Sequence, residues 1–443
     1  MRTFATGGTL VAAVLIHCGQ TAAQTPSPEL TTLYTFTCGG DGSSPSALSA
    51  GRGVLFGTTT DGGQLGVGTV FALTPPASPG IQWANTLLYS WDNSDGSSPS
   101  GVVIGSAGVL YGATSAGGTF GYGTVYALQP PASPGLEWTK TVLHNFAGGA
   151  GDGASPSGVV IGGGGVLYGT TSGGGVAGDG TVFAVRPPSS PTGVWIEEVL
   201  HSFKGFPSDG SQPLAGVAVG NDGVLYGTTS SGGTAAIGPG CAAQLGGSSD
   251  CPGAIFSLAP PSSPGGGWNE TLLYSTGEDG FANGFEFVSG VVIGEGGVLY
   301  GVSPNGGLYC AVLASGGCGV VYELKPPSYP GGAWTDTVLH AFTGAPNDAI
   351  NPGPGLAIGK GGALYGASYN GGASEDGTVY ALDPTDSGPS WTETVIYSFE
   401  WGSASGSSPS TTVTIGSDGL IYGTTTYGGV PGPFGCGTIF SLK

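Results

Sequence analysis

A chain of 443 residues is long enough for two or three domains, but 92 glycines and eight basic against 28 acidic residues narrow what it is. A net charge of −20 repels phosphate, which argues against nucleic acid or an anionic membrane surface as partner. The glycines follow no Gly-X-Y period; they separate short runs of Val, Leu, Ile, Tyr and Phe, the pattern of many short strands joined by tight turns.

The chain opens with Arg2, an apolar stretch from Leu10 to Ile16, and Thr21, Ala22 and Ala23 before Gln24. This arrangement predicts a secretory signal peptide over residues 1–23, leaving a mature chain of 24–443 that is secreted or extracellular. Lipid anchoring at Cys18 is the weaker reading, because that site calls for a small preceding residue and His17 stands there. No later apolar run is long enough to span a bilayer, so no transmembrane segment is expected.

From Gly53 onward one phrase returns: GVLYG, with small variations, starts at Gly53, Gly108, Gly165, Gly223, Gly297, Gly362 and Gly419. Successive spacings of 55, 57, 58, 74, 65 and 57 residues define seven units, with insertions in the fourth and fifth. The second unit shows four strand-like runs: Gly101 to Ile104, Val109 to Thr114, Gly123 to Leu128, and Trp138 to Phe146. Four antiparallel strands per repeat make a propeller blade, whereas the coil of a parallel β-helix is usually about half this length. The seventh unit stops at Lys443 after its third strand, and the missing fourth-strand pattern stands at the other end, as LTTLYTF from Leu30 to Phe36. The sequence therefore predicts an all-β, seven-bladed β-propeller in a single domain, its last blade closed by the N-terminal strand.

The cysteines agree with closure. Loss of Cys18 with the signal leaves six, an even number suited to disulfides in an oxidising compartment. Cys38 follows the N-terminal strand and Cys436 precedes the last one, so antiparallel pairing of those strands brings the two together. Cys241 with Cys251 and Cys310 with Cys318 are expected to pair locally, each stapling an inserted loop.

The GVLYGTT core at Gly165 to Thr171, the glycines Gly173 to Gly175 and the GTVF at Gly180 to Phe183, with their counterparts, resemble the GloVer tandem repeat of secreted bacterial proteins. The resemblance spans essentially the whole mature chain and implies an extracellular setting. It brings no catalytic residues.

Most residues with chemical potential recur with the repeat. His144, His201 and His340 occupy one repeat position, where other units carry Tyr34, Tyr89, Tyr274 and Tyr397; on separate blades they cannot share one metal ion. Phe56, Tyr111, Tyr168, Tyr226, Tyr300, Tyr365 and Tyr422 recur after each Val-Leu pair and are expected to pack between blades, as are the Trp residues opening each fourth strand. Asp41, Asp95, Asp152, Asp209, Asp279 and Asp348 recur in the turn after the fourth strand of six units, where Asp caps its own turn. A calcium ion at these turns would need additional oxygen ligands; otherwise no cofactor is expected.

Function is therefore sought where the repeat is broken. The loops from Ser230 to Pro252 and from Pro304 to Gly317 are enlarged, and Thr276 to Phe287 reads TGEDGFANGFEF in place of a short Asp-Gly turn. In a propeller these loops share one face, so Glu278, Asp279, Phe281, Asn283, Phe285, Glu286, Phe287, Asn305 and Tyr309 are expected to meet on the rim of blades four and five. Aromatic and polar groups together suit a glycan or a protein partner, and a noncatalytic binding or scaffold module is the leading reading. The alternative is a carbohydrate-active enzyme using two of Glu278, Asp279 and Glu286, held about 5 to 9 Å apart.

Overall fold

The structure, a computed structural model, describes residues 29–78, 82–133, 135–190, 193–234, 252–263, 265–276, 284, 287–307, 310, 317–329, 331–344, 346, 348–385, 390–429 and 435–443. Its strands form seven small antiparallel sheets arranged in a ring, and in six of them the strand order from the axis outward is the order in the chain. Blade three is typical, with strands Gly153–Ile161, Leu167–Gly174, Thr181–Arg186 and Ile196–Ser202. The second strand holds the recurring phrase, and its alternation puts Leu167 in the core while Tyr168 stays half-buried beside the next blade.

The seventh sheet shows how the ring closes. Leu30–Thr35 lies outermost against the last strand, Thr438–Leu442, with Leu30 opposite Leu442 and Thr35 opposite Thr438. Phe36 extends the pairing by donating its N–H to Gly437 O at 3.1 Å. Just beyond, Cys38 and Cys436 form the expected disulfide, with Cα atoms 5.2 Å apart across 398 residues of chain. Cys310 and Cys318 also pair as expected.

The core lies between blades. The aromatic ending every outer strand except that of blade four reaches the third strand of the next blade: Phe36 meets Phe71, Trp91 meets Tyr126, Phe146 meets Phe183, Phe203 meets Phe256, Phe342 meets Tyr380 and Phe399 meets Phe440, all with centroids 4.5 to 5.4 Å apart. A second series is formed by the aromatic after the Val-Leu pair and the fourth-strand Trp of the following blade. Phe56 packs with Trp138, Tyr111 with Trp195, Tyr168 with Trp268, Tyr226 with Trp334 and Tyr300 with Trp391, while Tyr422 with Trp83 spans the seam between chain ends. These rings are packing groups between blades, as their repetition suggested.

The glycine opening each GTVF has its own reason. Gly180 has φ +95, and a Cβ there would strike Thr171 O of its own blade and Pro213 of the next. Close approach of the blades at this point leaves no room for a side chain.

Candidate functional site

Of the rim residues expected to form a site, Glu278, Asp279, Phe281, Asn283, Phe285, Glu286 and Tyr309 lie outside the described residues, as do Cys241 and Cys251. Asn305 is half-buried, and its backbone carbonyl accepts a hydrogen bond from Ser303 Oγ at 2.8 Å. Phe287 departs from its expected rim position. It is only 1% exposed and contacts Tyr322, centroids 5.2 Å apart, in the slot that the end of the outer strand fills elsewhere. Thr276 holds the sequence position of that missing aromatic, so the altered turn returns Phe287 to complete the core.

The recurring histidines have partners that their spacing alone does not show. Every described outer strand has a register shift just before the Tyr/His position, and in the three histidine strands the side chain so turned meets the Asp of the following turn. His144 Nε2 lies 3.2 Å from Asp152 Oδ1, His201 Nε2 3.0 Å from Asp209 Oδ2, and His340 Nε2 3.3 Å from Asp348 Oδ1. Each Asp also accepts backbone N–H groups of its turn, as Asp152 does from Ala147 at 2.8 Å and Gly153 at 2.7 Å, which is the capping expected there. Burial acts to raise the Asp152 and Asp348 carboxyls, but hydrogen bonds from the histidine and the turn outweigh it and hold both below the usual range.

A third group comes from the next blade. Glu197, Glu270 and Glu393, each two residues after the strand-opening Trp, complete the sets His144/Asp152/Glu197, His201/Asp209/Glu270 and His340/Asp348/Glu393, with one potential ligand atom per residue all within 4.8 Å. Oε1 of each Glu is buried with no hydrogen-bond partner, and burial pushes each carboxyl up to about 7. Tyrosine blades differ. There Tyr34 OH donates to Asp41 at 2.9 Å, and Tyr89 OH donates to Asp95, which is also held by Lys140 Nζ at 2.5 Å from the Glu position.

Blades six and seven carry another departure from the repeat. Tyr369, at the end of the strand Leu364–Gly371, bonds its hydroxyl to that of Tyr427 at 3.4 Å, and Tyr427 packs against Trp401 with centroids 5.8 Å apart. Trp401 is 46% exposed and Tyr369 36%, so ring surface faces solvent. The platform is pinned from beneath: Trp401 N donates to Asp376 Oδ2 at 2.8 Å, and Ser407 and Tyr427 exchange backbone hydrogen bonds at 3.0 and 3.3 Å. Those bonds join the turn after blade six to the loop of blade seven, which places the aromatics on the face where inter-blade turns and second-to-third-strand loops emerge. The signal was in the sequence, since Trp401 is the Trp outside both recurring aromatic series, and Tyr369 and Tyr427 stand where other units carry small or polar residues.

On the ring axis a cavity of about 430 Å³ is lined by all seven blades, through groups such as Ser46, Ser100, Ser157, Leu214, Val291, Pro354 and Thr411. No lining side chain is ionisable.

Among solved structures, the chain is similar to a polysaccharide lyase, an ulvan lyase bound to a GlcA–Rha3S saccharide, at 10% identity, with 90% of this chain and 94% of that one covered and a TM-score of 0.50. Drosophila Semaphorin 1a, extracellular domains 1–2, matches at 10% identity over 93% and 88% of the two chains, with a TM-score of 0.47. Trypanosoma rangeli sialidase matches at 12% identity over 90% and 54%, with a TM-score of 0.35. At such identities the likeness is one of fold. No curated protein matches the chain. The Gloeobacter/Verrucomicrobia repeat profile matches residues 79–307 and 305–443, well over half of the chain, and the chain belongs to that repeat family.

Proposed function

We propose that this propeller is a noncatalytic, extracellular glycan-binding module whose main contact is the rim of blades six and seven. The observation that carries the reading is the solvent-facing cluster of Trp401, Tyr369 and Tyr427, with Asp376 fixing the Trp401 turn. Flat aromatic faces beside carboxylates and hydroxyls suit a pyranose ring, which presents C–H groups on its faces and hydroxyls at its edge. The disulfides Cys38–Cys436 and Cys310–Cys318 favour an oxidising compartment, and no helix among the described residues is long and apolar enough to cross a membrane. The turn carrying Glu278, Asp279, Phe281, Asn283, Phe285 and Glu286, with Asn305 and Tyr309, is a second proposed contact on the rim of blades four and five.

A glycan array followed by affinity electrophoresis on the retained polysaccharide tests this directly. Trp401→Ala and Tyr427→Ala are each expected to weaken retention about tenfold or more, as loss of an aromatic anchor does. Retention unchanged in the Trp401→Ala protein removes the platform, and release of new reducing ends from the polysaccharide overturns the noncatalytic reading.

A further inference from the structure

The three His–Asp–Glu sets lie between consecutive blades. Each takes His and Asp from one blade and Glu from the fourth strand of the next, joining blade two to three, three to four and five to six. Composition at these positions is coupled within the chain. Where the outer strand carries His, the next blade offers Glu in all three cases; where it carries Tyr34, Tyr89, Tyr274 or Tyr397, the same place holds Asn85, Lys140, Asp336 or Leu30. Glu never faces Tyr.

Charge gives that rule a physical meaning. Between blades one and two the chain supplies its own cation, with Lys140 Nζ on Asp95. At the histidine sets two carboxylates replace that arrangement, and Oε1 of Glu197, Glu270 and Glu393 is buried without a partner. A buried polar oxygen left unpaired is costly; Asn85 Oδ1 on a tyrosine blade is one at this repeat position too, but only at Glu197, Glu270 and Glu393 does the bare oxygen belong to an acid beside a His–Asp pair, and that threefold conjunction points to a group that supplies what the protein does not. The His–Asp spacing, a hydrogen bond in the metal-free chain, also fits a small metal ion. The separations of His Nε2 from the Asp oxygen are 3.2, 3.0 and 3.3 Å. An ion bound tetrahedrally at about 2.0 to 2.1 Å holds its ligands about 3.3 Å apart. The Asp oxygens that also accept turn N–H groups keep a further lone pair for an ion.

We propose that these sets are three quasi-equivalent sites for a divalent transition-metal ion of the zinc class, each stapling two adjacent blades. His Nε2, one Asp oxygen and one Glu oxygen are the protein ligands, and water completes the shell. Mixed imidazole and carboxylate donors select zinc, cobalt or manganese over calcium, which takes oxygen ligands. Binding puts the imidazole lone pair on the metal, so any proton on Nε2 leaves to solvent as the ion enters. Because the ion binds only where two folded blades meet, it stabilises the ring in proportion to its occupancy.

The test is calorimetric titration of chelator-treated, dialysed full-length protein with zinc chloride, with manganese and calcium chloride in parallel. Saturation near three zinc ions per chain is expected, with a rise in melting temperature. His144→Tyr, His201→Tyr and His340→Tyr each place the residue that four other blades already carry there, and each is expected to remove one equivalent while the triple variant binds none. Glu197→Gln, Glu270→Gln and Glu393→Gln, which keep size and hydrogen bonding, supply the same comparison if a tyrosine variant does not fold. Absence of saturable zinc or manganese binding overturns the proposal, as does zinc stoichiometry unchanged in the triple variant, or saturation by calcium alone.

Discussion

At the scale of single residues, the repeat makes position more informative than residue type. Phe287 shows this. It stands in the most irregular turn of the chain and has the character of a contact residue, yet it is fully buried against Tyr322 because Thr276 leaves the outer strand of blade four without its terminal aromatic. Phe287→Ala is expected to destabilise the protein by about 3 to 5 kcal/mol, as large core truncations do, and urea unfolding followed by fluorescence measures it. A loss below about 1 kcal/mol would place Phe287 outside the core. The histidines teach the converse. Compared only with one another they look purely structural, because the comparison that matters is with the Asp eight residues on and the Glu one blade away.

At the scale of strands, pairing of the chain ends was legible before any coordinates, since LTTLYTF fits the fourth-strand pattern and the last unit lacks one. The seam is also joined by Trp83 packing on Tyr422 and by Thr414 Oγ1 donating to Leu48 O at 2.6 Å. Cys38→Ser with Cys436→Ser is therefore expected to leave a folded ring that is weaker by about 2 to 5 kcal/mol. Thermal melts with and without reductant test it: reductant lowers the wild-type melting temperature towards that of the variant. The register shift in each outer strand, by contrast, could not be read from hydrophobic alternation, because one extra residue changes which face a side chain takes without changing its neighbours in sequence.

At the scale of the whole molecule, the ring has its seam inside a blade, so the chain ends meet where Leu30 pairs with Leu442. A circular permutant that joins Lys443 to Glu29 through a copy of the connector 130–137, with new ends after Cys38, makes blade seven continuous. It is expected to melt cooperatively close to the parent, as calorimetry would show; a permutant that fails to fold would mean that the seam does more than close the circle. The number of blades, their four strands, the closing strand, the Cys38–Cys436 disulfide and the inter-blade role of the aromatics were determined by the sequence itself. Each follows from a local pattern repeated at a fixed interval, and repetition makes every unit a control for the others. Only the tertiary structure decided which departures from the repeat lie together. The joining of Trp401, Tyr369 and Tyr427, and of each His and Asp with a Glu from the next blade, depends on the curvature of the ring and the stagger between sheets, which bring together residues that no sequence interval relates.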